Sequence, residues 1–249
     1  MRLLRSLLAA FFFVGFALGS VVLGFLLFPV LAVCGDGAWA RRWMRRLVRV
    51  TYRLFVGVGR VTGLFRVDLA PEDRERLAAA KGCVVVANHL TLIDIIILIA
   101  HMGDTTAIAK SAAARNPFYS RIVRSAFLVN DDPEGVLREA GELLAAGINL
   151  VVFPEGTRTP TETRHRRLRR GAAQIALAAA APVLPIRIMC DPPVLAKGQP
   201  WYEVGARTVV YTLATETPIL PRSPAEGRHA AAVALTAEIS EALFGPAAN

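Results

Sequence analysis

"VVVANHLTLIDIIILIA" runs from Val84 to Ala100 and holds the turning point of the chain. Val84, Val85 and Val86 are β-branched and, with Cys83 and Ala87, make a short apolar run with the signature of a buried strand. The later run "IDIIILIAHM" is too long to continue that strand and reads as the start of a helix. Asn88, His89 and Asp94 interrupt this apolar setting. Each of them, buried without a partner, would cost on the order of a few kcal/mol. His89 and Asp94 are five residues apart, which on a regular helix puts them about 140° apart around the axis. They meet only if His89 sits on the turn before the helix and Asp94 in its first turns. A carboxylate bonded to one ring nitrogen fixes the imidazole tautomer and leaves the other nitrogen free to take a proton. The bland alternative is a structural histidine with its bonds satisfied.

Working outward, strand-like and helix-like segments alternate. "TTAIAK", "FLVN", "INLVVF", "PVLPIRI" and "RTVVYTL" read as strands. "PFYSRIVRSA" reads as a helix opened by Pro117, and "DPEGVLREAGELLAAG" as one capped by Asp132 and stopped at Gly147. "RRGAAQIALAAAA" and "SPAEGRHAAAVALTAEISEALFG" read as two more helices, and "DPPVLAKGQP" (Asp191–Pro200) as a proline-rich surface loop. The fold class expected is α/β, with a mixed, partly parallel sheet flanked by helices. Sites in such sheets lie where strands end and helices begin.

The N-terminal segment has a different character. No charge appears from Ser6 to Gly35, a stretch longer than the ~20 helical residues that cross a hydrocarbon core. It also exceeds the ~7–15 apolar residues of a secretory signal. "VLAVC" faintly resembles a lipoprotein cleavage box, which Val33 fits poorly. Pro29 is expected to kink or end the helix. Whether that helix spans or dips in and returns is left open. Arg41 to Arg66 then holds eight arginines and no acid. Arg42, Arg45, Arg49 and Arg53 share one helix face, and Leu47, Val50, Leu54 and Val58 another. This is expected to be a basic amphipathic helix in the headgroup layer of an anionic leaflet, with Trp43 and Tyr52 as anchors; the alternative is a helix packed on the domain. The arginine excess puts this side in the cytoplasm. The expected division is 1–66 for the membrane-anchoring helices and 67–249 for a catalytic domain.

The formal charge of +9 therefore sits largely beside a membrane helix, and nucleic-acid binding loses its support in the absence of any finger, RNA-binding or helix-turn-helix pattern. Mean hydropathy of +0.43 favours a membrane surface or an anionic lipid substrate. The three cysteines, Cys34, Cys83 and Cys190, follow no disulfide or zinc spacing.

A second polar constellation, "FPEGTR" (Phe153–Arg158), closes the "INLVVF" strand. Gly156 permits close backbone approach to a ligand, Thr157 offers a hydroxyl, and Arg158 a planar fork for phosphate or carboxylate. Glu155 is placed to pair with Arg158 or bond a substrate hydroxyl; the alternative is a turn with a surface ion pair. Arg164, Arg166, Arg167, Arg169 and Arg170 follow, and Arg170, beside Gly171 at a helix start, is the one expected to reach an anion.

"NHLTLID" followed by "FPEGTR", with Lys110 and Pro117 between and "PVLPI" after, resembles the PlsC-type glycerolipid acyltransferases over roughly residues 80–215. The resemblance implies His89 and Asp94 as the catalytic pair. It further implies a substrate site of Asn88, Thr91, Lys110, Glu155, Gly156, Thr157, Arg158 and Arg170, in which Lys110 and Arg158 hold the acceptor phosphate. Thr91 stands where the family commonly has serine, and the alanines of "KSAAARNPF" replace a frequent Glu-Leu. "KSAAARNPF", "NDD" and "CDPPVLAKGQPWY" resemble a subgroup of short bacterial members associated with aryl-polyene or fatty-acid-like pathways. The implied activity is O-acyl transfer from acyl-CoA or acyl-carrier protein to a lysophospholipid such as 1-acylglycerol-3-phosphate. The alternative acceptor is an amino-acid lipid or polyene lipid. No metal or cofactor is needed, the thioester being a co-substrate. The partners are the bilayer, the lipid acceptor and, through the arginine-rich surface, acyl-carrier protein, with the protein at a bacterial inner membrane. A non-catalytic membrane-associated scaffold is the reading of a different class.

Overall fold

The computed structural model describes residues 2–34, 37–116, 120–159, 167–200, 202, 206–222 and 227–245. Its centre is β2 (Val84–Ala87), four residues with no exposed surface. β2 lies between β5 (Asn149–Val152) and β6 (Val183–Asp191), parallel to both. Outside β5 come β3 (Thr105–Ala109) and β4 (Leu128–Val129), also parallel. On the other side β7 (Val209–Thr215) pairs antiparallel with β6 and carries β1 (Phe65–Leu69) at the edge. The result is a seven-stranded mixed sheet in the order β1-β7-β6-β2-β5-β3-β4. The expected α/β sheet flanked by helices is what forms. Five of its strands point their C-terminal ends the same way, and β1 and β7 run against them.

Alternation along β2 divides the core in two. Val85 and Ala87 face a cluster with Ile97, Leu98, Phe55, Phe65, Tyr211 and Leu213. Val84 and Val86 face a second cluster with Leu144, Ile175, Leu235 and Ile239. The first layer is roofed by α5 (Asp94–His101) and α3 (Gly37–Val61), the second by α8 (Pro133–Ala145), α9 (Gly171–Ala179) and α10 (Arg228–Phe244). Asp132 caps α8 as its sequence suggests, accepting from Glu134 N at 3.1 Å, and Gly147 follows the helix at φ +79°. α7 (Ser120–Ala126) matches the second half of the helix read from "PFYSRIVRSA", whereas Pro117 lies outside the described residues.

The first helix is α1 (Arg2–Val22), continued by a π-helical stretch (Leu23–Leu27) and α2 (Phe28–Cys34). The wide turn falls just before Pro29, which has no N–H to return to the preceding turn, so the helix loosens there instead of ending. Among the described residues, Arg5–Leu31 is the one helix long and apolar enough to cross a membrane, by length and composition. The helices do not stand apart from the domain. Ala9 and Phe55 belong to the sheet's own core, and Arg5 Nη2 donates to Gly63 O and Arg207 O at 3.2 and 3.0 Å. The division expected between residues 66 and 67 falls inside β1.

Two expectations are reversed. The arginine face of α3 was expected in the headgroup layer, but Arg45, Arg49 and Arg53 bond to the domain, as the alternative reading had it, while Arg42 is exposed. Arg45 makes a two-pronged bond to Asp104 at 2.8 and 3.0 Å, Arg49 Nη1 donates to Met102 O, and Arg53 Nε donates to Ala100 O at 2.9 Å. Arg49 and Arg53 thus take up carbonyls at the C-terminal end of α5, and Arg45 pairs with a carboxylate just beyond it. The apolar face read from the sequence points largely out, with Leu54 66% and Val61 89% exposed beside Trp39, Trp43 and Val50, while a second apolar stripe of Met44, Val48 and Phe55 packs inward. The Asp191–Pro200 segment is likewise no surface loop in its middle, since Val194 and Leu195 are buried in the first core cluster. The sequence reading also passed over β1 and α4 (Pro71–Ala79). α4 buries one residue, Leu77, and so shows almost no apolar period.

Candidate active site

β2 ends by handing the chain to Asn88, whose side chain extends the sheet. Its Nδ2 donates to Ile188 O at 2.8 Å, and its Oδ1 accepts from Ile188 N at 2.6 Å. Both ends of the amide are therefore taken up by backbone a hundred residues away, so Asn88, expected at the substrate, ties the turn to β6.

His89 comes next, gripped on both sides by the other motif. Its N–H donates to Glu155 Oε1 at 2.8 Å, and its carbonyl accepts from Thr159 N at 2.8 Å. Glu155 thus reaches across to the His89 backbone. The ring stacks on Phe153, with centroids 4.2 Å apart and an 18° interplanar angle. His89 Nδ1 lies 2.9 Å from Asp94 Oδ2.

Asp94 is the first residue of α5 and fully buried. Leu90 N and Thr91 N donate to its Oδ2 at 2.7 and 2.8 Å, and Thr91 Oγ1 donates to its Oδ1. The helix N-terminus adds its positive partial charge. A carboxylate so loaded is an acceptor, which makes His89 Nδ1 the donor and leaves Nε2 with its lone pair. The His89 side chain is 21% exposed, enough to meet a ligand. The hydroxyl of Thr91, expected at the substrate, is engaged by Asp94.

Gly156 turns at φ +67°, and a Cβ there would meet Arg169 Nε at 2.8 Å. The Arg169 side chain therefore lies across the bare glycine, and Arg169 N donates to Pro154 O at 2.8 Å. Arg170 was the expected anion ligand. It is exposed, with Nη1 3.0 Å from His229 Nε2 on α10, and is not brought to the others. Sequence alone separates Arg169 from Arg170 only through the closeness that a positive-φ glycine allows its neighbour. Thr157 sits between the two arms of the turn, and its carbonyl accepts from Thr159 Oγ1 at 3.4 Å. Arg158 Nη1 donates to Leu195 O at 2.8 Å and to Ala196 O at 3.2 Å. Lys110 is exposed just past β3, at the same end of the sheet as β2 and β5.

Behind the pair, burial pushes the Cys190 thiol and the Tyr211 phenol up, so both are protonated at neutral pH. Burial also pushes the Cys83 thiol up. None of these is an activated nucleophile. The chemistry on offer is a base, His89 Nε2, held on a rigid turn beside a glycine turn flanked by arginines.

The model of the acyltransferase family matches residues 69–189. A 1-acyl-sn-glycerol-3-phosphate acyltransferase from Helicobacter pylori is 33% identical over 100 residues, a stretch that takes in 37% of this chain and 42% of that protein. The fold is similar to the crystal structure of the 1-acyl-sn-glycerophosphate acyltransferase PlsC from Thermotoga maritima. That likeness has a TM-score of 0.62 at 23% identity and covers 97% of this chain and 98% of the other. Residues 69–189 of this chain thus match the acyltransferase family model, and the fold that carries them is similar to that of PlsC.

Proposed function

We propose that the protein is a membrane-bound O-acyltransferase. It moves a fatty acyl group from acyl-CoA or acyl-carrier protein to a lysophospholipid such as 1-acylglycerol-3-phosphate. The observation that carries the reading is the geometry of His89. One ring nitrogen is held by a buried, fully loaded carboxylate, the ring is stacked on Phe153, and Nε2 alone is left to react. Nε2 takes the proton of the acceptor hydroxyl as its oxygen attacks the thioester carbonyl. Asp94 orients the ring and stabilises the imidazolium that forms. The proton then passes from Nε2 to the departing thiolate. Transfer is direct in this reading, and the half-buried thiols of Cys83 and Cys190, both pushed up by desolvation, are poor nucleophiles.

Lys110, Arg158 and Arg169 supply positive charge for an acceptor phosphate at the open end of the sheet. The outward apolar stripe of α3, continued by Phe11, Leu18 and Leu26 of the first helix, supports docking to a bilayer. Exposed Arg41, Arg42 and Arg46 beside Trp39 and Trp43 favour the anionic cytoplasmic leaflet of a bacterial inner membrane.

Purified protein supplied with palmitoyl-CoA and 1-oleoyl-glycerol-3-phosphate should release CoA, and His89→Ala should reduce the rate at least ~10³-fold with the fold intact. Equal rates in the two proteins would sink the assignment. For the membrane, Leu54→Asp should lower flotation with vesicles containing phosphatidylglycerol; flotation at the wild-type level would remove α3 from that role.

A further inference from the structure

We propose that the open edge of the sheet, β1, pairs with β1 of a second copy of this chain, antiparallel and centred on Val67. The inference goes beyond acyl transfer and does not rest on it.

β1 stands at the end of the strand order, and among the described residues only β7 pairs with it. Val209 N donates to Leu64 O at 3.1 Å, which fixes the alternation along the strand. Arg66 and Asp68 turn their backbone polar groups to β7, so Phe65, Val67 and Leu69 turn theirs to the open side. Such a row is a template for another strand. There is room for one: a cleft of about 580 Å³ runs beside residues 66–70, between Arg60 at the end of α3 and Arg74 on α4.

The side chains of β1 select the partner. Arg66 and Asp68 lie on the outer face, 56% and 47% exposed and 3.1 Å apart. Phe65, Val67 and Leu69 lie on the other face, packed with the first core cluster. Charges on an edge strand normally discourage pairing. In self-pairing about Val67, however, Arg66 stands opposite Asp68 of the second copy, and Asp68 opposite its Arg66. The four charges then alternate around a square, Phe65 meets Leu69, and Val67 meets itself. Val67 has its N–H and C=O on the open side, as a central hydrogen-bonded pair requires. A slip by two residues sets Arg66 against Arg66, or Asp68 against Asp68, and like charges directly opposite destabilise. A slip by one residue mismatches the two faces. One register is therefore complementary, and it is the symmetric one.

The twofold axis of an antiparallel edge pair stands perpendicular to the sheet. Both α3 helices, with their exposed apolar residues, then lie on one face of the joined sheet, as two chains on one bilayer need. A five-residue strand pair is small beside the ~1,600 Å² of a standard interface, so the dimer is expected only where the chain is concentrated.

Val67→Cys tests the register in the full chain, purified and held either in phosphatidylglycerol vesicles or in detergent at rising protein concentration. The Cα atoms of a central pair lie ~5.5 Å apart, within disulfide reach. Two copies of Leu69→Cys would be offset by four residues, more than ~13 Å, which is out of reach. Mild oxidation should link Val67→Cys chains into dimers in at least one medium, well above wild type with its native cysteines and above Leu69→Cys. Equal yields from the three proteins refute the pairing. Added to Val67→Cys, Arg66→Asp or Asp68→Arg should each cut the dimer at least ~fivefold, and the two together should restore it. A double variant no better than the single ones would overturn the proposal. If Val67→Cys does not fold, sedimentation of wild type and the three charge variants decides the same question: a monomer at every concentration, or a dimer indifferent to the swaps, refutes it.

Discussion

At its N-terminal end α5 carries Asp94, a carboxylate with four donors and no exposed surface; at its C-terminal end the same helix meets Arg45, Arg49 and Arg53. Both ends obey one rule. A helix leaves N–H groups unpaired at one end and carbonyls at the other, and its dipole favours an anion at the first and cations at the second. The ends differ in where the partners come from. The N-terminal donors all lie within five residues of Asp94, so the constellation travels as a short motif. The donors to the C-terminal carbonyls come from 47 and 53 residues away, on α3. The first end holds the His89 ring in place, and the second ties the apolar helices to the domain.

Asp94→Asn is the strongest way to break this contrast. It keeps size and shape but presents an amide where His89 Nδ1, two backbone amides and Thr91 all need an acceptor. The imidazole loses its tautomer and its counter-charge, and kcat should fall by about 10⁴-fold. Single-turnover acyl transfer measures this directly, with circular dichroism as the control for folding. A loss of tenfold or less would mean that the carboxylate holds the turn and leaves the ring's reactivity untouched.

Arg45→Ala probes the other end. Arg45 is 8% exposed and Asp104 37%, so the freed carboxylate regains water and the loss is moderate. About 1–2 kcal/mol is expected, a fall of roughly 3–6 °C in Tm for a chain of this size. Turnover measured well below Tm should stay near wild type. A large fall in kcat without a change in Tm would mean that this end of α5 also sets the position of Asp94.

The contrast explains what was legible in the sequence. The strand, turn and helix around His89 could be read because "VVVA" and "IDIIILIA" have different lengths and compositions, and the awkward five-residue spacing admits only that bend. The two faces of α3 were legible too, since 3.6 periodicity shows which residues share a side. Which side faces inward was not, because a period carries no information about the solvent each face meets. α3 carries apolar residues on two sides: Met44, Val48 and Phe55 turn in, Leu54 and Val61 stay out, and Arg49 and Arg53 find carbonyls to pair with. Arg169 and Leu195 were illegible for another reason. Arg169 lies across the Gly156 turn and Leu195 hangs from Leu92 and Arg158, contacts between distant residues that leave no pattern along the chain.

The smallest expected effect concerns His101, the last residue of α5. Its Nδ1 lies 2.8 Å from Ile97 O, and its pKa is lowered, first by burial and then by Arg74 and Arg53 nearby. The lowered value sets the sign. As pH falls below about 6.5, the ordinary imidazole value, the unfolded chain takes a proton that the folded chain refuses, so stability declines until the folded group also titrates. Replacing His101 with Gln removes that part of the acid slope and leaves the part due to carboxylates. Urea midpoints of wild type and His101→Gln should therefore coincide near pH 7.5 and separate by pH 5, with the variant losing less. Parallel slopes over that range would place the proton uptake elsewhere. The arginine-capped end of α5 would then not resist a further positive charge, and the contrast between its two ends would rest on Asp94 alone.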